Sequence, residues 1–370
     1  MKIPVGIPDF NQEEIDNVSK VMASGWIARG KEVDLFEQQL ANYLGIKEVV
    51  LVNSGTSALE IALRSLKIEG KEVITTATSC APTANAIVHS GNIPVMIDIS
   101  LEDFNLNPDK IEEAITSRTA AIMPVHVYGR TADMEKIMAI AQRHNLIVIE
   151  DCAQSMGAKF NGRQTGTFGR VGCFSLNINK IITTGEGGFI ATNDHQAAEA
   201  ARMIRNYGRD PSGSDYCYTH FGHNFKFTNL QAAVGLAQLK KINLLIQARR
   251  KKVEFMNNLL KEVEEIILPG ERENESAVYF SYTVLLSTPG IRDKLKQFLE
   301  NKGIEVRTMF RPMCDQPYYQ ERFGQRVKPL PNAEYVGENG LYVGCYPSLT
   351  EEQMIFIANS LKEGLNASRS

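Results

Sequence analysis

Cysteine is scarce in this chain and never closely paired: six thiols among 370 residues, Cys80, Cys152, Cys173, Cys217, Cys314 and Cys345, form no CxxC. Such scattered positions offer neither a metal knuckle nor a disulfide framework, so they read as reduced thiols and no metal is expected. Charge of one sign is also missing. With 40 Lys and Arg against 43 Asp and Glu, a formal net charge of −3 argues against nucleic acid as a partner. The densest basic run, ARRKK at Ala248 to Lys252, falls in a helical pattern and reads as a solvated helix face. No apolar run approaches the roughly 18 residues of a membrane span. The opening MKIPVGIPDF lacks an apolar signal core, so a cytoplasmic protein without a membrane partner is expected. Nor does a GxGxxG fingerprint follow the first apolar run; GEGG, Gly185 to Gly188, falls between later strands and reads as a turn.

What is present is alternation. The β-branched run EVVLV precedes a helical pattern in SALEIALRSL, KEVITT precedes APTANAIVHS, and IPVMIDI precedes IEEAI. TAAIMPVHVY, the helix MEKIMAIAQRHN and the strand LIVIE follow, then the strands CFSL and GGFIATN. This is the pattern of a mostly parallel sheet covered on both faces, where ligands collect beyond the carboxyl ends of strands. The polar loops NSGTS, DCAQS and NINK fall at such ends. FTNLQAAVGLAQLKKINLLIQARRKKVEFMNNLLKEVEEI reads as one long helix or two joined ones. Beyond it come the strand YFSYTVLL, the helix IRDKLKQFLENKG, the strand IEVRT and a last helix from LTEEQM. A large domain at 1–240 and a small α/β domain at 241–370 are expected.

Three loops carry candidate chemistry. In NSGTSALEIAL (Asn53 to Leu63) a strand gives way at once to a helix, and the free N–H groups of a helix start can hold an anion, although Ser before a helix is also an ordinary cap. Asp151 ends the apolar strand LIVIE, where a carboxylate can meet a ring cation or merely cap a helix. Glu150 should point to the opposite face of the strand. Lys180, in FSLNINKIITTGEGG, is either a surface lysine or an amine that forms a Schiff base with an aldehyde cofactor. An aldehyde-binding amine, an acid for a ring nitrogen and a phosphate cup are together what pyridoxal phosphate requires.

At these residues the chain resembles the DegT/DnrJ/EryC1/StrS sugar aminotransferases, nearly end to end. The motifs are GWIARGKEVDLFEQQLANYLG, NSGTSALEIAL, TANAI, RTAAIMPVHVYG, VIEDCAQSMGA, GTFG, FSLNINKIITTGEGG, GHNFKFTNLQAAVGLAQL and GIEVRTMFRPM. The resemblance implies an α/β fold of fold-type-I transferases: a large domain with a mixed, mostly parallel seven-stranded sheet covered by helices, plus a small C-terminal α/β domain. It implies pyridoxal 5′-phosphate, with Lys180 carrying its aldehyde and moving a proton and Asp151 pairing with its ring nitrogen. The amides of Gly55, Thr56 and Ser57 and the hydroxyl of Ser175 would surround the phosphate, and Gln154 would lie beside the ring. Asn224 would reach the same phosphate from a second subunit, which makes the protein a homodimer with shared sites. The reaction implied moves an amino group from L-glutamate to a nucleotide-linked keto sugar, for a surface polysaccharide or a glycosylated metabolite. NKIITTGEGG and the RPM region are most similar to the GDP-perosamine synthases of this family, which act on GDP-4-keto-6-deoxymannose.

Departures from the pattern concern the acceptor. Cys80 stands where many members carry an aromatic residue against the ring, Cys314 replaces the histidine of PMH, Lys226 replaces an arginine, and Ala28 replaces a small hydroxyl residue. His223, Lys226, Arg307 and Cys314 are candidate substrate contacts. A C3-keto sugar, another nucleotide, a ketocyclitol or a small ketone are alternative acceptors. A sugar 3-dehydratase is disfavoured because such relatives replace the lysine with histidine, and a regulator without turnover because lysine, aspartate and cup are all retained. His126 reads as a packed core histidine or a site residue. Tyr318 and Tyr319 read as packing between domains, and Trp26 as an interface residue.

Overall fold

Seven apolar runs lie side by side, six of them largely buried and the edge run Ile93–Ile97 half-buried, and an alternating helix-strand chain achieves such burial only with helices above and below. The structure, a computed structural model, describes residues 2–210, 216–324 and 329–369. Its main sheet contains β1 (Glu48–Val52), β2 (Glu72–Thr76), β3 (Ile93–Ile97), β4 (Thr119–Met123) and β5 (Ile147–Asp151). After a small hairpin of β6 (Lys159–Phe160) and β7 (Arg163–Gln164), β8 (Val171–Ser175) and β9 (Gly188–Thr192) complete it. The order is β1-β9-β8-β5-β4-β2-β3, and only β9 runs against its neighbours. The expected mixed, mostly parallel seven-stranded sheet is therefore present.

Successive residues of one strand serve opposite cores. Val50 and Val52 of β1 pack under the helices Gly55–Ser65 and His195–Arg205, whereas Val49 and Leu51 pack against the helices Lys31–Leu44 and Asn229–Lys240. Phe174 and Phe189 stack across β8 and β9 at 4.4 Å between ring centroids. Because β1, β2, β4, β5 and β8 share a direction, the loops that follow them open on one edge of the sheet.

A second sheet, β10 (Ile266–Ile267), β12 (Tyr282–Leu286), β13 (Arg307–Thr308) and β14 (Gly340–Val343), is antiparallel in the order β10-β12-β14-β13. Its core takes Ile3 from the start of the chain together with the helices Arg292–Asn301 and Glu351–Arg369. The helix Ile242–Leu260 spans both units: Ile242 and Leu245 belong to the first core, and Val253, Met256 and Leu260 to the second. Strand β11 (Glu275–Ser276) instead pairs with the β6-β7 hairpin of the large unit. Among the described residues no helix is long and apolar enough to cross a membrane.

Three local expectations are corrected. The basic run is not wholly solvated: Arg249 is only 6% exposed, its guanidinium turned toward the carbonyls of Cys345, Phe280 and Tyr279. IEEAI forms no α-helix, because the chain there makes two 3₁₀ turns, Pro108–Lys110 and Glu112–Ala114. IEVRT pairs over only two residues, Arg307 and Thr308.

Candidate active site

Asp151 closes β5 and is buried, with Oδ2 accepting a hydrogen bond from the Thr83 hydroxyl at 2.8 Å and Oδ1 one from the Ala153 N–H at 3.1 Å. Thr83 lies one residue into the helix Pro82–His89, and its hydroxyl is also 2.8 Å from that of Ser79. Burial pushes the Asp151 carboxyl up, against the lowering effects of the Ala153 and Thr83 bonds and of the nearby Lys180 charge. Among the described residues no cation stands within ion-pair distance of it. A carboxylate so placed is short of a positive partner.

Lys180 follows β8 in a turn whose backbone is fixed by its own N–H to the Asn177 carbonyl at 2.9 Å. Part of the side chain meets solvent, but the amine end is enclosed, and burial pulls its pKa below that of a free lysine while Asp151, Cys80 and Glu186 pull the other way. Its Nζ lies 4.9 Å from the centre of the Phe280 ring. An amine whose basicity is lowered by burial, near a buried acid, is suited to act as nucleophile and as base.

The loop after β1 forms the third part. Ser54 caps the helix Gly55–Ser65 through its hydroxyl, which accepts from the Ser57 N–H at 3.1 Å, so Ser57 is already satisfied locally. The amides of Gly55 and Thr56 have no hydrogen-bond partner among the described residues and point out of the helix start. Gly55 is required by close approach: a Cβ there would sit 2.8 Å from Cβ of Ser175. The Ser175 hydroxyl thus borders two free N–H groups at the positive end of a helix.

Behind Asp151, Glu150 faces the other way, as the strand alternation requires. It accepts from the Gly166, Phe168 and Gly169 amides, each at 2.7 Å, and stands 3.0 Å from Nε2 of His126. His126 is fully buried and its Nδ1 accepts from the Ala132 N–H at 3.0 Å, which leaves Nε2 to donate to Glu150. His126, Glu150 and Cys152 lie within 4.8 Å of one another, but these bonds occupy both ring nitrogens and both carboxylate oxygens. The trio is a packing clamp, and His126 is a core histidine.

A model of the DegT/DnrJ/EryC1/StrS aminotransferase family matches residues 8–362. The chain belongs to this family. It is 37% identical to a GDP-perosamine synthase of Caulobacter vibrioides over 98% of both chains. Among solved structures it is similar to Helicobacter pylori PseC, an aminotransferase involved in the biosynthesis of pseudoaminic acid (27% identity, TM-score 0.94, 99% of this chain and 100% of that one). It is likewise similar to S. venezuelae DesV in complex with a ketimine intermediate (31% identity, TM-score 0.91, 98% of each chain). The chain is thus a sugar aminotransferase of the DegT/DnrJ/EryC1/StrS family.

In this aminotransferase Gln154 is buried, its Oε1 accepting from the Tyr128 N–H at 2.7 Å. Tyr128 has a left-handed backbone, φ 56°, a strained conformation for a bulky residue. It is held there by Gln154, by the Phe280 N–H on its carbonyl at 3.0 Å and by the Phe310 N–H on its hydroxyl at 3.1 Å. Cys80 is exposed beside a cleft of about 630 Å³ lined also by Asn85, Phe310, Arg311, Tyr318 and Tyr319. Tyr319 is buried with its hydroxyl 2.7 Å from Oδ1 of Asn85, whereas Tyr318 is half exposed.

The other candidates lie elsewhere or are already engaged. His223 stands 3.4 Å from Glu60 and stacks on Phe225 at 4.6 Å. Lys226 holds its ammonium 3.9 Å above the Tyr207 ring and 3.5 Å from Oδ1 of Asn206. Arg307 pairs with Glu305 at 2.8 Å in an exposed position, and Cys314 is half-buried against the cluster around Tyr128. Asn224 is exposed, its backbone bridged to Asn206. Trp26 is 66% exposed on the single chain, its indole N–H donating to the Arg29 carbonyl at 3.0 Å. Thr83, Arg249, Phe280 and Arg311 were not singled out from the sequence. Thr83 lies inside TANAI and Arg311 inside RPM, but nothing local to either marks a contact with Asp151 or a place in the cleft.

Proposed function

We propose that this aminotransferase uses pyridoxal 5′-phosphate to move the amino group of L-glutamate to a nucleotide-linked 4-keto-6-deoxy sugar, as a GDP-perosamine synthase does. Three features of the chain suit that cofactor: a buried carboxylate lacking a cation, two unpartnered amides beside a hydroxyl at a helix start, and an amine of lowered basicity. When bound, pyridoxal phosphate supplies an aldehyde to carry the amino group and a ring to accept electrons from the substrate carbon.

The residues then divide the work. Gly55, Thr56 and Ser175 bind the phosphate, with Ser57 ordering the turn through its bond to Ser54. Asp151 keeps the ring nitrogen protonated, and in doing so gains the positive charge that its burial lacks. Thr83 orients that carboxylate. Lys180 would hold the aldehyde and, once displaced, would move a proton between the substrate carbon and the cofactor carbon in each half of the reaction, as base at one and acid at the other, a role worth about 10² to 10⁴-fold in rate. Gln154 and Cys80 border the ring. Asn224, exposed on one chain, completes the phosphate site of a second copy, so the working form is a homodimer.

The acceptor class rests on one cation. Arg311 opens onto the cleft beside Cys80 and has no ion pair or hydrogen bond among the described residues. A guanidinium suits bidentate contact with the diphosphate of a nucleotide sugar. The identity to GDP-perosamine synthase supports the same reading. His223, Lys226 and Arg307, committed to Glu60, Tyr207 and Glu305 in this chain, rank behind Arg311.

The test is a pair of half-reactions followed by absorption. Glutamate should remove the band of the lysine-bound cofactor, and GDP-4-keto-6-deoxymannose, added after glutamate is washed away, should restore it. A protein that responds to glutamate but to no nucleotide-linked 4-keto sugar would overturn the acceptor.

A further inference from the structure

Phe280 follows β11 and faces the lysine of the site across the junction of the two sheets. Nζ of Lys180 stands 4.9 Å from its ring centroid, and no carboxylate lies within 4.0 Å of that nitrogen among the described residues. The ring is not there by default packing. Its residue is fixed at both backbone polar groups: the N–H donates to the Tyr128 carbonyl at 3.0 Å, and the carbonyl accepts from Nη1 of Arg249 at 3.1 Å. Arg249 is itself buried without a carboxylate, its charge shared among the carbonyls of Phe280, Tyr279 and Cys345. Gly129, φ 83°, lets the two backbones meet, since a Cβ there would come 2.7 Å from the Phe280 nitrogen. A buried arginine, a strained tyrosine and a glycine all converge on the placement of one aromatic side chain.

We propose that Phe280 is a positioning residue for Lys180, its ring face receiving the ammonium that forms when the amine takes a proton. The proposal rests on the reading of Lys180 as the proton carrier. In that step a C–H bond of the bound donor would break, its electron pair staying with the carbon, and an N–H bond would form on the neutral Nζ, which would then give that proton to the cofactor carbon; the second half would run the same two transfers in reverse, ending on the acceptor carbon. A new ammonium in an enclosed site needs a partner. A carboxylate in contact would hold the lysine protonated at rest and spoil it as a nucleophile, whereas an aromatic face attracts the cation without offering it a full negative charge.

The charged and titratable groups facing Lys180 are Asp151 at the end of β5, Cys80 after β2 and Glu186 before β9. Asp9 and Arg249 share a small hollow with it, of about 20 Å³. Since the ring favours the protonated amine, its removal lowers the pKa of Lys180.

Competitive acetylation of the full chain freed of cofactor, read by peptide mass spectrometry from neutral to alkaline pH, reports the neutral fraction of Lys180 directly. Phe280→Leu should move the midpoint down by about 0.4 to 1.5 in pH, while Phe280→Tyr and Phe280→Trp should follow the parent protein. Should the leucine variant not fold, Phe280→Met makes the same comparison. A leucine or methionine profile that superimposes on the parent would overturn the proposal, as would an equal displacement in the aromatic variants. Failure of Lys180 as the cofactor lysine is read separately, by borohydride trapping of the cofactor on another residue.

Discussion

The Thr83 hydroxyl stands 2.8 Å from Oδ2 of Asp151 and joins a helix start to the acid at the end of β5. Hydrogen bonds to a charged group contribute about 1.5–3 kcal/mol, so Thr83→Val should weaken pyridoxal phosphate binding by about 10-fold or more. Thr83→Ser should restore most of it. Fluorescence titration of the apo-protein with the cofactor measures both, and equal affinity in the valine variant would remove Thr83 from the site.

In the proposed reaction Asp151 would set stability against function. Its carboxyl is raised in the folded chain, so its contribution to stability is fully present below the ordinary aspartate range and is lost as pH rises through the raised value. At neutral pH the cofactor-free protein therefore bears the cost of burying this group, whether as a charge or as a carboxyl that must take up a proton. Asp151→Asn should stabilise the apo-protein near neutral pH by about 1–3 kcal/mol, abolish turnover, and make no difference to stability in acid. Thermal unfolding across pH tests the sign, and a variant less stable than the parent at neutral pH would contradict it.

The positions of the strands were legible because burial on both faces leaves continuous apolar runs such as EVVLV and LIVIE. The short pairings were not: β11 and β13 have two residues each, too few to carry a period. Arg249 shows what local patterning hides. Ile242, Leu245, Arg249, Val253, Met256 and Leu260 form one buried stripe at helical spacing, so the arginine sits in phase with the apolar residues. The dense charge of ARRKK masked that phase, and the carbonyls it meets are 30 to 96 residues away along the chain. Lys180, Asp151 and the helix start after β1 stand out as candidates in the sequence because each lies at or just beyond a strand end. Thr83, Phe280 and Arg311 owe their places to distant segments brought together by the fold.

Gly55→Ala should empty the phosphate cup. The new Cβ would stand 2.8 Å from Cβ of Ser175, so the strand end and helix start must move apart. Overpacking of this kind costs about 1–3 kcal/mol, and cofactor affinity should fall at least about 10-fold with the Lys180 acetylation profile unchanged. Unaltered affinity would place the phosphate elsewhere.

Glu275 ties β11 to the loop that carries Tyr128. It receives Nε and Nη2 of Arg130 at 2.9 and 2.7 Å and the Thr131 N–H at 2.6 Å. Burial acts to raise its carboxyl, but the bonds and charge of Arg130 outweigh this and hold it below the ordinary glutamate range. The stability it contributes is thus present above the ordinary glutamate pKa and lost as pH falls through the lowered value. Glu275→Gln should cost about 3–5 kcal/mol near neutral pH, and less as the solution is acidified. Chemical denaturation at two pH values reads the difference.

The identity of the cofactor lysine is the central claim. Reducing the pyridoxal phosphate-loaded protein with borohydride and mapping the pyridoxyl group by peptide mass spectrometry should place it on Lys180 alone, and Lys180→Ala should fold, take no label and lose turnover. A label on any other lysine, or full turnover in the alanine variant, would contradict the account.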